Sequence, residues 1–290
     1  MEILKTYKLY IGGQFPRTES GRSYAVKSVN GEHIANVCLS SKKDVRNAVQ
    51  AARKAQLAWA GKSAFNRSQI VYRIAEMLEA RKAQFIEELQ ALGQSKQSAE
   101  SEVSMSIDRC VYYAGWADKY QSIIGSVNPV ASAHFNFSVP EPTGVVGIVA
   151  CQETALLGLI SQLLPVIIGA NTAVVLANAT KPTCAISFAE VLATADVPGG
   201  VVNILTGQPA ELLPTLSAHM DVNALSIAPI ESKLQKEAQA EAIDNLKRVH
   251  IFVEPLYVKN AQGLPYIADF QEIKTTWHPI EQIAGGAGGY

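Results

Sequence analysis

Four cysteines, Cys38, Cys110, Cys151 and Cys184, are the first residues of this 290-residue chain to weigh for chemistry, because a thiolate is a strong nucleophile and a metal ligand. They lie far apart with no CxxC pair, which argues against a zinc site or a disulfide-stapled scaffold and fits a reducing compartment. His134, His219, His250 and His278 have no metal-like spacing and read as surface or satisfied histidines. Glu153 could serve as an acid, but no partner stands near it in sequence, so a solvated or capping carboxylate is the plainer reading. No GxGxxG follows a strand pattern, and the one GxG, Gly286-Ala287-Gly288, lies in the tail. No metal-binding residue is assigned.

Such residues act only where elements hold them. Lys8–Ile11, Gly21–Ser28 and Glu32–Cys38 read as short strands. Ser40 or Ser41 then offers an N-cap hydroxyl to a helix over Lys43–Ala60, whose apolar residues recur at three and four. Asn66–Leu92 and Ser98–Ile124 carry single apolar stripes and read as packing helices, and Ser126–Ala133 as a polar connection. His134–Pro140 has Phe135, Phe137 and Val139 in strict alternation, so one face of that strand must be covered.

From Val145 onward strands and helices alternate. Strands at Val145–Ala150, Thr172–Leu176, Val201–Leu205, Ala224–Ile227 and Arg248–Val253 are separated by helices at Leu156–Ile168, Lys181–Ala195, Ala210–His219 and Glu231–Ala242. This is the pattern of a parallel sheet with helices on both faces. A late strand is expected over Phe270–Trp277, followed by a Gly-rich end.

Composition narrows the function classes. The chain is 48% hydrophobic and 18% charged, enough for a sizeable core, and its 25 Lys and Arg balance 26 Asp and Glu. No basic field exists to condense on phosphate, so nucleic acid is not an expected partner. The longest apolar stretch, Ala155–Ala170, is interrupted by Ser161, Gln162 and Pro165 and reads as a buried helix, so no membrane partner is expected either. The start of the chain has no secretion pattern, and a cytoplasmic location is the expectation.

Leu9-Tyr10-Ile11-Gly12-Gly13-Gln14, the helix Val45–Trp59 and Tyr112-Tyr113-Ala114-Gly115-Trp116-Ala117-Asp118-Lys119 resemble the aldehyde dehydrogenase superfamily. So do Pro142-Thr143-Gly144-Val145-Val146-Gly147 and Val197-Pro198-Gly199-Gly200-Val201-Val202-Asn203-Ile204-Leu205-Thr206-Gly207. These landmarks run in family order from about residue 8 to residue 253. The resemblance implies an α/β fold: a Rossmann-like parallel sheet of about five strands with helices on both faces, N-terminal helices and a small antiparallel oligomerisation sheet.

The same resemblance implies which residues stand at the family's working positions. The oxyanion-stabilising Asn falls on Glu153, the ribose-binding Lys and Glu on Leu176 and Ala179, and the Gly-Ser-Thr-Glu turn on Ala228-Pro229-Ile230-Glu231. The general-base Glu strand aligns with Ile251-Phe252-Val253-Glu254-Pro255 and places phenylalanine where the base should be. Cys151 takes a position usually held by Pro, and no cysteine is expected to replace the nucleophile. Only 35 residues follow Pro255, so the family's catalytic domain is expected to be absent. No catalytic or cofactor-binding residue, and no cofactor, is therefore expected.

Ile273-Lys274-Thr275-Thr276-Trp277 resembles the final oligomerisation strand, an arrangement similar to the non-catalytic second domain of tandem family 16 members. The expected division is 1–133 for N-terminal strands and helices, 134–143 with 263–280 for the oligomerisation sheet, 144–255 for the Rossmann-like core and 281–290 for a flexible tail. Phe135, Phe137, Val139, Ile273 and Trp277 are the expected interface. The expectation is a pseudoenzyme that forms a homodimer or a hetero-oligomer with a full-length aldehyde dehydrogenase. The alternative is a subunit binding a nucleotide or another metabolite in the crevice beyond the strand ends.

Overall fold

The computed structural model describes residues 5–253, 256–258 and 261–280; the Gly-rich tail expected to be flexible lies outside the described residues. Strands β1 (Thr6–Tyr7), β2 (Ser23–Lys27) and β3 (His33–Cys38) form a small sheet in the order β1-β3-β2. The sequence around Tyr10 and Ile11 makes only isolated bridges, Tyr10 to Ile204 and Ile11 to Gln14, so the expected strand is displaced toward residue 6. Helix α1 (Lys42–Ala60) starts at Ser41, whose hydroxyl and backbone close a capping box with Asp44. Thr18 donates a further hydrogen bond to that carboxylate at 2.6 Å, tying the helix start to the small sheet.

The next helical run is broken where one stripe suggested continuity. It forms α2 (Ala64–Ala80) and α3 (Lys82–Ala91), divided at Arg81, then α4 (Lys96–Ala114) and the short α5 (Tyr120–Ile124). Ser126–Asn128, expected to be connection, forms a strand, β4, beside β5 (His134–Pro142). β5 runs two residues past its expected end, because β11 (described below) pairs with it through Pro142.

The main sheet is built from β6 (Val145–Val149), α6 (Leu157–Ile168), β7 (Thr172–Leu176), α7 (Thr183–Thr194), β8 (Val202–Leu205), α8 (Pro209–Ala218), β9 (Ala224–Ile227), α9 (Ser232–Glu241) and β10 (Arg248–Ile251). A 3-10 turn, Ala242–Asn245, joins α9 to β10. All pairings are parallel in the order β10-β9-β6-β7-β8, so the order reverses between β6 and β9. Its strands are almost entirely buried because helices cover both faces: α1, α8 and α9 on one, α6 and α7 on the other with α2, α3 and α4 outside them. Every residue of α6 is buried, its polar Ser161 and Gln162 included, and both of these are hydrogen-bonded internally. Among the described residues no helix is long and apolar enough to cross a membrane.

After β10 the described residues hold one more helix and one more strand of the chain. It makes α10 (Leu264–Ala268) and enters β11 (Gln271–Pro279), which lies antiparallel to β5 and completes a three-stranded sheet, β11-β5-β4.

Candidate functional site

Open parallel sheets hold ligands beyond the carboxyl ends of the strands, at the point where the strand order reverses. Here that point lies between β6 and β9, and the chain fills it with its own side chains. Cys151 follows β6, Ala228 follows β9, and both pack with Leu157 and Leu256 in one buried cluster, with Phe252 and Met105 against it. Leu256 is 5% exposed. α6 starts close beneath: a Cβ on Gly158 would lie 2.5 Å from the Cys151 Cβ, so only glycine lets the helix approach this near.

A polar stripe on α4 holds that segment down. Glu102, Ser106, Arg109 and Tyr113 recur at helical spacing and are all buried. Arg109 donates to the Leu256 carbonyl and to Ser161, the Tyr257 hydroxyl donates to Glu102 at 3.2 Å, and the Gly263 amide donates to the Tyr113 hydroxyl at 3.4 Å. Burial, with the Glu102 carboxylate next in effect, pushes the Tyr257 hydroxyl far above the usual tyrosine range, so it stays a donor. Glu102 also accepts from the Leu156 and Leu157 amides at 2.8 and 3.1 Å, occupying the N-terminus of α6 with an internal anion.

The two loops above β6 and β7 are pinned together. Asn178 donates to the carbonyls of Cys151, Gln152 and Thr154 and accepts from the Thr180 and Lys181 amides. Gln152 accepts from the Ala179 amide at 3.0 Å. Leu176 is buried in the core cluster beneath α1 and α8. Glu153 is exposed, and its carbonyl, rather than its carboxylate, accepts from Lys181 at 3.3 Å. Phe252 lies against the filled cluster with its ring 5.9 Å from Tyr266. Pro229 is exposed, Ile230 packs into the core, and α9 begins with no side-chain cap.

All four cysteines are buried. Burial pushes the Cys110 thiol far up, and burial with the Glu88 carboxylate nearby does the same to Cys184, so neither supplies a thiolate near neutral pH. Among the described residues no group of three or more His, Cys, Asp or Glu is placed to hold a metal ion.

The five expected interface residues do not share a surface. The β5–β11 register sets Phe137 opposite Thr276 and Asn136 opposite Trp277, and opposite residues share a face. Phe135, Phe137 and Val139 therefore lie on one face with Val127, and the rings of Phe135 and Phe137 stand 5.5 Å apart. Ile273 and Trp277 lie on the other. Phe135, Ile273 and Trp277 are 46%, 55% and 58% exposed. The first face borders α5 across an open groove of about 390 Å³.

Sequence reasoning named neither Leu256 nor the α4 stripe. The signal for the stripe was present: Glu102, Ser106 and Arg109 interrupt an apolar helix at one helical spacing, the mark of a polar face with an internal partner.

The aldehyde dehydrogenase family profile matches residues 16–252. Cytosolic 10-formyltetrahydrofolate dehydrogenase of Xenopus tropicalis is 32% identical over 263 residues, covering 87% of this chain and 28% of that protein. The Bacillus subtilis (strain 168) protein DhaS is 30% identical over 250 residues, covering 84% of this chain and 50% of that one. Among solved structures, HpcC from Thermus thermophilus matches with a TM-score of 0.81 at 26% identity, over 86% of this chain and 48% of its own. The NAD+ complex of an aldehyde dehydrogenase from Bacillus cereus matches with a TM-score of 0.81 at 24% identity, over 86% and 51%. The chain thus spans about half, or less, of the length of these relatives. A profile match over most of its length, with a relative 32% identical across 87% of it, means that the chain belongs to the aldehyde dehydrogenase family.

Proposed function

We propose that this chain is a non-catalytic member of its family, a structural or regulatory subunit that associates through the β11-β5-β4 sheet with a second copy or with a full-length aldehyde dehydrogenase. The observation that carries the reading is the filled switch point, where Leu256 packs between the ends of β6 and β9 and is held there by Arg109. Because the chain spans only part of its relatives, the support comes from residues inside it. Phe252 stands at the general-base position and has no group that takes a proton. An exposed carboxylate at Glu153 opposes a developing oxyanion.

The positions present do not fit a nicotinamide dinucleotide. Leu176 and Ala179 offer no side-chain hydrogen bond to a ribose, and Leu176 is turned into the core. Among the described residues, α10 is the one helix or strand between β10 and β11, and the proposal includes no catalytic domain inserted there.

The relatives are named as dehydrogenases, and the direct test is turnover. Purified chain incubated with aliphatic and aromatic aldehydes and NAD+ or NADP+ is expected to form no reduced nicotinamide above the uncatalysed rate. Sustained, enzyme-proportional formation that Phe252→Ala alters would overturn the proposal. Saturable stabilisation by NAD+ without turnover would instead favour the nucleotide-binding subunit.

A further inference from the structure

We propose that a small cavity between α6, β10 and α10 binds a short primary alkylammonium ion. The cavity measures about 110 Å³, room for about five non-hydrogen atoms. Its polar lining includes Ser161, Gln162, Ser226, His250 and Asp269, and its aromatic walls are Phe252, Tyr266 and Phe270.

Ser226 and His250 are register partners on neighbouring parallel strands, so their side chains stand side by side on the α6 face. Ser226 is 2% exposed, and its oxygen accepts from the Gln162 amide at 3.2 Å. Gln162 itself is fully committed, accepting from the Cys151 amide and donating to the Val149 carbonyl, so it fixes Ser226 and offers nothing more. At the rim, His250 Nδ1 lies 3.5 Å from the Asp269 carboxylate, with both side chains about one-third exposed, which leaves an entrance. With Nδ1 turned to Asp269, Nε2 is the other polar atom of the ring, and it presents a lone pair in the tautomer that carries its proton on Nδ1.

The cavity lining then offers three acceptors: the Asp269 carboxylate, His250 Nε2 and the Ser226 oxygen. A primary ammonium carries three N–H donors. Aromatic faces favour a cation and cover a short alkyl chain, and Phe252 and Tyr266, packed tilted against each other at 5.9 Å, form one such wall. The nearby guanidinium groups are occupied elsewhere. Arg248 holds the Gln271 carbonyl and, at 2.7 Å, Glu272, while Arg109 holds Ser161 and the Leu256 carbonyl. Burial raises the Asp269 pKa against the opposing pull of His250 and Arg248. A carboxylate ligand would face Asp269 at close range, and a neutral alcohol would forgo the charge.

Calorimetric titration with n-butylammonium, beside 1-butanol and butyrate, tests the site. The expected result is saturable binding of n-butylammonium near about 1 mM, the range for so small a ligand, with both isosteres at least about tenfold weaker. Asp269→Asn should weaken n-butylammonium about tenfold or more, and Ser226→Ala several-fold, with both variants retaining the parent's thermal midpoint within about 3 °C. An Nα-acetyllysine amide run alongside distinguishes a free amine from a lysine presented by a protein, since either binding mode uses the same ammonium. Equal binding of 1-butanol, indifference to both substitutions, or no saturation by either amine overturns the proposal.

Discussion

Glu102 has no exposed surface and no cation in contact among the described residues, yet its carboxylate is fully served. It accepts from the Leu156 and Leu157 amides, from Gln94 at 2.6 Å and from the Tyr257 hydroxyl, and the first turn of α6 supplies partial positive charge. One side chain thus joins α3's C-terminal loop, α6 and the segment that fills the switch point. Glu102→Ala strands two buried amides and two side-chain donors, so it is expected to cost about 3 kcal/mol, read as a lowered urea midpoint at unchanged slope. Glu102→Gln, which keeps an acceptor for the amides, should cost about 1 kcal/mol. Equal, small losses in both would mean that water replaces the carboxylate and that the segment is not held from α4. Of this, only the helical spacing of Glu102, Ser106 and Arg109 was legible in the linear chain. The expectations at Glu153, Leu176 and Phe252 come from counting along a motif, whereas Leu256 meets Cys151 only because the chain doubles back over the sheet.

Elements were more legible than contacts, for a physical reason that differs from one element to the next. The parallel strands are apolar on both faces and their helices amphipathic, so the alternation from Val145 to Ile251 declares itself. The break at Arg81 does not, because the apolar stripe continues across it from Leu78 to Phe85 while the backbone turns. Strand β4 has no covered face to impose alternation; Ser126 and Val127 are exposed, and only pairing with β5 makes it a strand. Register also decides which residues act together. The Phe135 face is apolar along β5 and at Val127, with Lys274, Thr276 and His278 beside it on β11, and continues into the groove beside α5, whereas the Trp277 face is centred on hydrogen bonds from Asn128 to Asn136 and Ser138 and between Ser138 and Thr275. An interface gains more from covering the first. Phe135→Ser with Phe137→Ser is therefore expected to dissociate any oligomer, and Ile273→Ser with Trp277→Ser to weaken it less, each with the helical circular dichroism of the parent. The reverse ranking in sedimentation would move the interface to the Trp277 face.

At the scale of the molecule, β11 is what turns a sheet domain into a candidate subunit. It returns the chain from β10 to β5, so the three-stranded sheet is built from segments on both sides of the core and cannot form before the core does. Its nine residues run along an edge whose outer backbone groups no described strand pairs, with Ile273 and Trp277 above half exposed. Such an edge is a template for another chain unless something covers it. Lys274 is the one charged side chain midway along it, and that charge is neutralised by Glu141 at 3.0 Å, so it guards the edge weakly. Light scattering of the purified chain is accordingly expected to give at least twice the protomer mass, or a mixed complex when a full-length aldehyde dehydrogenase from the same source is added. Thr275→Pro, placed mid-strand where a proline disrupts the ladder, should return the mass to that of the protomer while the parallel core still melts cooperatively. A parent chain that stays monomeric at every concentration and ignores the enzyme would remove association from the function and leave the cavity beside β10 as the part of the molecule that meets another.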